Sequence, residues 1–182
     1  RAGTPITDAA FGGLLAAATG ARAAEAGAAY RTADRSPGRA WSDVVTDRAY
    51  ACVGLGNYRA LAERGPVYAY ELAEPAGPSP FAALPPDLAG GSPHGAEMPY
   101  LFDLVPGGPE LTPDQQKLAS ELVDRWARFA TTGDPNGGPG TPWPPWTGDG
   151  RLLTIAGPGP ATTTTPAAEF AAAHRCALWG VR

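Results

Sequence analysis

Apolar residues recur along this chain at two periods, separated by clusters of glycine and proline. Thr7 is placed to cap a first helix, with Phe11, Leu14, Leu15 and Ala18 on one face and Gly20 as its stop. An alanine-rich turn follows from Ala23 to Ala29. From Arg39 to Arg64 the pattern is mostly helical, carried by Trp41, Val44, Val45, Cys52, Val53 and Leu61. Gly54 and Gly56 weaken it by about 1 kcal/mol each relative to alanine, which predicts a break there. Val67 to Leu72 is short, aromatic and β-branched, and lies between Pro66 and Pro75. It lacks clean alternation, as suits a strand covered on both faces in a parallel sheet.

The clearest helix opens at Thr112, with Pro113 in the first turn, Gln115 completing a capping box, and Gly133 as the stop. Leu118, Leu122, Val123, Trp126 and Phe129 form its apolar stripe. Leu152 to Ile155 reads as a second, buried strand, and Thr165-Pro166 as the start of a last helix running through Phe170, Ala173, Ala177 and Leu178. Between these elements lie two long Pro/Gly-rich connections, residues 74–110 and 133–150. Loops of such length inside a compact domain are often functional.

Composition narrows the function classes. Gly and Pro number 24 and 21 of 182 residues, a level that can signal disorder. Five Trp, six Tyr and five Phe argue for a packed core instead. The net charge is -4, Lys117 is the only lysine, and no basic run exists to neutralise phosphates, so nucleic acid is not an expected partner. No run of 18 apolar residues predicts a membrane span. Cys52 and Cys176 are either a disulfide or two buried thiols, and Cys and His do not cluster with metal-ligand spacing. No metal or cofactor is implied.

His94 sits in Gly90-Gly91-Ser92-Pro93-His94-Gly95-Ala96-Glu97, a loop that follows the first strand. Loops at the carboxyl ends of parallel strands are where α/β sheets bind ligands. By itself His94 is either a surface histidine or a catalytic one. His174, beside Arg175 in the last helix, reads as structural. A catalytic histidine needs a nucleophile and an orienting acid. The G-x-S-x-G elbow occurs nowhere, and Ser36, Ser42, Ser79, Ser92 and Ser120 lack its context.

Five segments, in order, give the chain a family likeness. Ser42 to Asp47 looks like a helix start, Pro66 to Leu72 like a core strand, and Trp126 to Asn136 like a helix end and turn. Trp143-Pro144-Pro145-Trp146 and then Leu152 to Ile155 look like a W-P-x-F/Y/W segment and a final strand. His94 to Phe102 fits H-G-x-E-x-P-F/Y-x-F. Together they resemble the type-B carboxylesterase and cholinesterase family of the α/β-hydrolase fold, over nearly the whole chain.

That resemblance implies the C-terminal part of an α/β-hydrolase sheet with flanking helices, incomplete on its own, with residues 1–182 forming one portion of a single carboxylesterase domain. It implies a serine-dependent carboxylic ester hydrolase in which His94 is the triad histidine and Glu97 a structural anchor of its loop. Cys52 and Cys176 fall where members carry a disulfide, which points to an oxidising, extracellular location. The partners implied are an N-terminal portion of the same enzyme, supplying the serine and the triad acid, and a small-molecule ester. Asp8 suits a helix N-terminus better than a triad, so the acid is expected before Arg1. The alternative is a non-catalytic adhesion module on the same fold.

Overall fold

The computed structural model describes residues 5–78, 88, 90–103 and 110–181; Ser79 and the loop around Phe81 lie outside them. The described chain forms two compact units, one from residues 5–57, 88 and 168–181, the other from 58–78, 90–103 and 110–167.

The first unit is helical. Helix α1 (Asp8–Thr19) is capped by the Thr7 hydroxyl, which accepts from the Ala10 amide at 3.2 Å. Helix α2 (Ala23–Tyr30) and helix α3 (Pro37–Thr46) follow, the latter capped by Ser36. Phe11, Leu15, Ala26, Tyr30, Ala40 and Val44 make one core, against which Trp41, Leu178 and Trp179 pack. The expected break at Gly54 and Gly56 is absent. Instead the helical path widens into a π-turn at Asp47–Ala51 and resumes as α4 (Cys52–Ala62), in which both glycines are helical. A π-turn inserts one residue per turn, and here it brings Asp47 and Cys52 to buried positions, 2% and 0% exposed. Cys52 and Cys176 are joined by a disulfide with their Cα atoms 5.3 Å apart.

The second unit holds a three-stranded sheet. Strand β1 (Tyr70–Leu72) pairs in parallel with β2 (Arg151–Ile155), with Tyr70 opposite Leu153 and Leu72 opposite Ile155. Parallel pairing agrees with the unalternating pattern of the first strand, and Leu152, Leu153 and Ile155 are all but fully buried. A third strand, β3 (Thr162–Pro166), runs antiparallel to β2. This corrects the expectation of two strands. The Thr165-Pro166 pair closes β3, because four consecutive threonines favour extended backbone and Pro166 is tolerated at a strand end, and the expected helix starts directly after it. Helix α7 (Ala167–Ala173) is correspondingly short. It does not reach Leu178: Arg175 adopts a left-handed φ of 51°, and a separate 3₁₀ turn spans Cys176–Trp179. His174 therefore lies at a helix break and not within a helix.

Helix α5 (Met98–Leu101) and helix α6 (Pro113–Thr132) cover the sheet. The capping box at Thr112 and Gln115 is complete, and Gly133 ends α6 in the left-handed conformation, φ 78°. The buried face of α6 is Gln115, Leu118, Leu122 and Arg125. Val123 and Phe129, expected in the apolar stripe, are 45% and 47% exposed, because a face set by Leu118 and Leu122 reaches Arg125 at the next turn. The Trp-Pro segment lies along the approach to β1: Trp146 N–H donates to Val67 O at 2.7 Å, and the Trp143 indole donates to Ala69 O at 2.8 Å. Among the described residues no helix is long and apolar enough to cross a membrane.

Two stability outcomes follow. Gly150 has φ +78°, and a Cβ there would meet the Trp146 ring at 2.3 Å. Gly150→Ala is expected to lower stability by about 1–3 kcal/mol, read as the denaturant midpoint. Opening the disulfide by Cys52→Ser with Cys176→Ser frees a loop of 124 residues. The loss approaches about 4–5 kcal/mol in the chain-entropy limit, and it is measured against the oxidised protein by the same titration.

Candidate active site

The loop bearing His94 is closed at its base. After β1 the chain leaves the sheet at Ala73, whose N–H still donates to Ile155 O at 2.8 Å. It returns at Gly91, whose N–H donates to Pro75 O at 2.7 Å, and at Ser92, whose hydroxyl donates to Glu74 O at 2.8 Å. His94 follows two residues later, at the tip of a tight turn. Ala96 N–H donates to Pro93 O at 2.9 Å and Met98 N–H to Gly95 O at 3.0 Å. The turn requires φ +82° at Gly95, where a side chain would be strained. Ala96 beneath it is fully buried, while His94 itself is exposed.

Glu97 opens α5: its carbonyl accepts from Tyr100 N–H at 3.0 Å and Leu101 N–H at 3.2 Å. Its carboxylate also faces Tyr70 on β1. Burial, and then the charge of Glu97, push the Tyr70 hydroxyl up to about 12.

The residue that organises this region was not singled out from the sequence. Glu74, two residues past β1, is 8% exposed. Its Oε2 accepts from the Tyr100 hydroxyl at 2.6 Å and its Oε1 from the Gln115 amide at 3.4 Å. The same Gln115 Nε2 donates to Ala76 O at 2.9 Å, while Oε1 of Gln115 completes the α6 capping box. Burial and the bond to Glu74 raise the Tyr100 pKa, keeping that hydroxyl a donor. Gly77 closes over this cluster; a Cβ there would sit 3.1 Å from both Gly91 O and Ser92 Oγ. An acidic residue just after the first strand was the available signal.

Ser92 is the serine nearest His94 in sequence, and its hydroxyl is committed to Glu74 O. Asp8 lies in the other unit, exposed and ion-paired with Arg31 at 2.8 Å. Ser36 is an N-cap.

The first unit holds a second histidine–carboxylate pair. His174 Nδ1 lies 2.7 Å from Asp47 Oδ1, and the Tyr30 hydroxyl donates to Asp47 Oδ2 at 2.8 Å. Arg175 reaches the same oxygen at 3.5 Å and lies over the Tyr30 ring at 4.6 Å. The Trp179 indole donates to the Tyr30 hydroxyl at 2.9 Å, and the Phe170 ring packs tilted against the His174 ring with centroids 4.3 Å apart. Burial, and then the bond to Asp47, raise the Tyr30 pKa. The cluster holds His174, Arg175 and Trp179 on either side of the disulfide residue Cys176. Asp47 follows Ala40 and Val44 on the buried helical face, which is how the sequence could have flagged it.

The carboxylesterase family model matches residues 20–179. Acetylcholinesterase from Gallus gallus is 36% identical over 116 residues, which cover 62% of this chain and 14% of that protein. Cocaine esterase from Homo sapiens is 27% identical over 143 residues, covering 76% of this chain and 24% of that protein. The fold superposes on the crystal structure of a Geobacillus stearothermophilus carboxylesterase with a TM-score of 0.66 at 21% identity. That match covers 95% of this chain and 33% of the larger one. The chain thus spans a quarter or less of the curated relatives it matches.

Two measurements check this geometry. Tyr100→Phe leaves Glu74 with one donor fewer and is expected to cost about 1–3 kcal/mol of stability. Tyr70 should titrate near 12 by tyrosinate absorbance, and Glu97→Gln should lower that value. Because the folded pKa exceeds the unfolded one, Tyr70 contributes stability in full below pH 10, and the contribution is lost between about pH 10 and 12. Tyr70→Phe removes that alkaline loss.

Proposed function

The chain belongs to the carboxylesterase family, and from this premise we propose that it supplies the triad histidine, His94, of a serine-dependent carboxylic ester hydrolase. The observation that carries the reading is the placement of His94. It stands exposed at the tip of a turn that follows the carboxyl end of β1, on a loop fastened to the sheet through Glu74.

In this reading residues 1–182 form the C-terminal portion of one catalytic domain. An N-terminal portion contributes the serine, the triad acid and the oxyanion hole. His94 accepts the serine proton as the hydroxyl attacks the ester carbonyl, and then gives it to the departing alkoxide, which leaves as the alcohol. Negative charge that collects on the carbonyl oxygen is held by donors outside this chain. Glu97 anchors the turn: its carbonyl starts α5 and its carboxylate faces β1, so it holds the loop and takes no part in proton transfer. The substrate is a small-molecule ester. The Cys52–Cys176 disulfide supports an oxidising compartment, and we place the protein outside the cell.

The test is His94→Ala in the assembled enzyme with a short aryl ester. Loss of kcat/KM by more than about a thousandfold is expected, since the oxyanion hole and binding alone leave only residual catalysis. Undiminished hydrolysis would remove His94 from the triad. A serine-directed fluorophosphonate should label the nucleophile-bearing portion; absence of label would favour an adhesion module.

A further inference from the structure

Helix α6 carries a charge where its buried face calls for a hydrophobe. Leu118, Leu122 and Arg125 follow one another on that face, and Arg125 is only 4% exposed. Arg128 lies one turn further on. Both guanidiniums reach the same connection: Arg125 Nη2 donates to Thr141 O at 2.7 Å, and Arg128 Nε to Pro135 O at 3.1 Å. Among the described residues neither forms an ion pair. Glu121 acts on Arg125 electrostatically, but its carboxylate is held by the Gly159 N–H at 3.1 and 3.2 Å. Burial, outweighing Glu121, together with the neighbouring Arg128, depresses the Arg125 pKa. Two like charges placed side by side, one of them buried, favour an anion nearby.

The opposite wall is built of glycine. A Cβ on Gly138 would lie 2.8 Å from both terminal nitrogens of Arg128, and one on Gly140 3.1 Å from Arg125 Nη2. Only residues without side chains let the two guanidiniums approach this main chain so closely. Gly137 and Gly140 have φ of 96° and 98°, and the amides of Gly138 and Gly140 donate to no protein acceptor among the described residues. Beside them lies a cavity of about 120 Å³, lined by Arg125, Arg128, Asn136, Thr141 and the main chain of the glycine segment. Guanidinium forks and backbone N–H groups are the donors that hold tetrahedral oxyanions.

We propose that this pocket is a binding site for a phosphate- or sulfate-type oxyanion, separate from the histidine turn and independent of the esterase reading. Arg125 forms its floor, Arg128 one jaw, and the 137–140 main chain the other.

Calorimetric titration of the intact protein with inorganic phosphate at low ionic strength tests it. One saturable site is expected. Arg128→Gln should weaken binding about tenfold or more, through loss of a charge-assisted contact. Gly138→Ala should do the same while keeping both charges; Gly138 is exposed and outside the left-handed region, so this variant retains the fold. The amide resonances of Gly138 and Gly140 should shift on saturation. Phenyl phosphate as a second probe separates the two sources of this chemistry: retained affinity indicates a phosphomonoester, lost affinity the free ion. Absence of saturable binding, binding unchanged in both variants, or equal competition by chloride at matched ionic strength would overturn the site.

Discussion

A carboxylate taken out of water at the end of a strand must recover its hydrogen bonds from neighbours, and in this chain the Glu74 carboxylate recovers them from two helices. Tyr100 comes from α5, Gln115 from the first turn of α6, and Ser92 reaches the main-chain oxygen of the same residue. None of these bonds is long-lived in isolation, since each is worth about 1 kcal/mol net. Their force comes from the alternative: a buried carboxylate without donors is far more costly than the bonds are worth. The strand end, the returning loop and the capping box are therefore coupled. His94 lies between two of the anchors, Ser92 before it and Tyr100 after it, so an exposed side chain is held by a backbone that is not free to wander.

The helical unit solves the same problem with the same chemistry and reaches a different end. Asp47 is enclosed by Tyr30, His174 and Arg175 beside the disulfide residue Cys176. Here a histidine does touch a carboxylate at 2.7 Å, the contact usually sought in a triad. Yet its ring is packed on Phe170 and only 16% exposed. His94 shows the opposite combination, an exposed ring on a fastened turn. Proximity to an acid is thus a poor guide to function on its own, because a buried carboxylate recruits whichever donors the fold can supply. Exposure at the carboxyl end of a parallel strand is the more informative feature.

Much of this was legible in the sequence, and the failures have physical causes. The capping box of α6, its Gly133 stop, the buried second strand and the parallel pairing of the first are local signals that appear as expected. The first strand, expected over residues 67–72 and covered on both faces, is confined to Tyr70–Leu72 and only half-buried. The order of motifs around His94 carries the family likeness in the sequence itself. What escaped depends on tertiary partners. β3 has no apolar periodicity, since threonine is chosen for an extended backbone and for pairing with β2 more than for burial. The break after α7 rests on one residue, Arg175, held in the left-handed region while its guanidinium meets Asp47 and Ala29. Glu74, Asp47 and Arg125 were passed over because a charged residue on an apolar face looks like an interruption until its partners are known.

The order of the sheet bears on how, under the proposed function, His94 could meet a nucleophile carried by other strands. β2 lies between a parallel neighbour and an antiparallel one, in the order β1-β2-β3. On the β3 side the parallel arrangement has already ended. Further parallel strands would continue the parallel arrangement beside β1, and parallel sheets are stable when extended and covered on both faces. Under the proposed function those strands come from the N-terminal portion. Parallel strands share a carboxyl edge, so the loop carrying the serine would emerge on the same side as the Glu74-fastened loop carrying His94. Neither portion needs to enclose a whole active site. Each needs only to hold its own loop rigidly at that common edge, and this chain does so with a buried carboxylate.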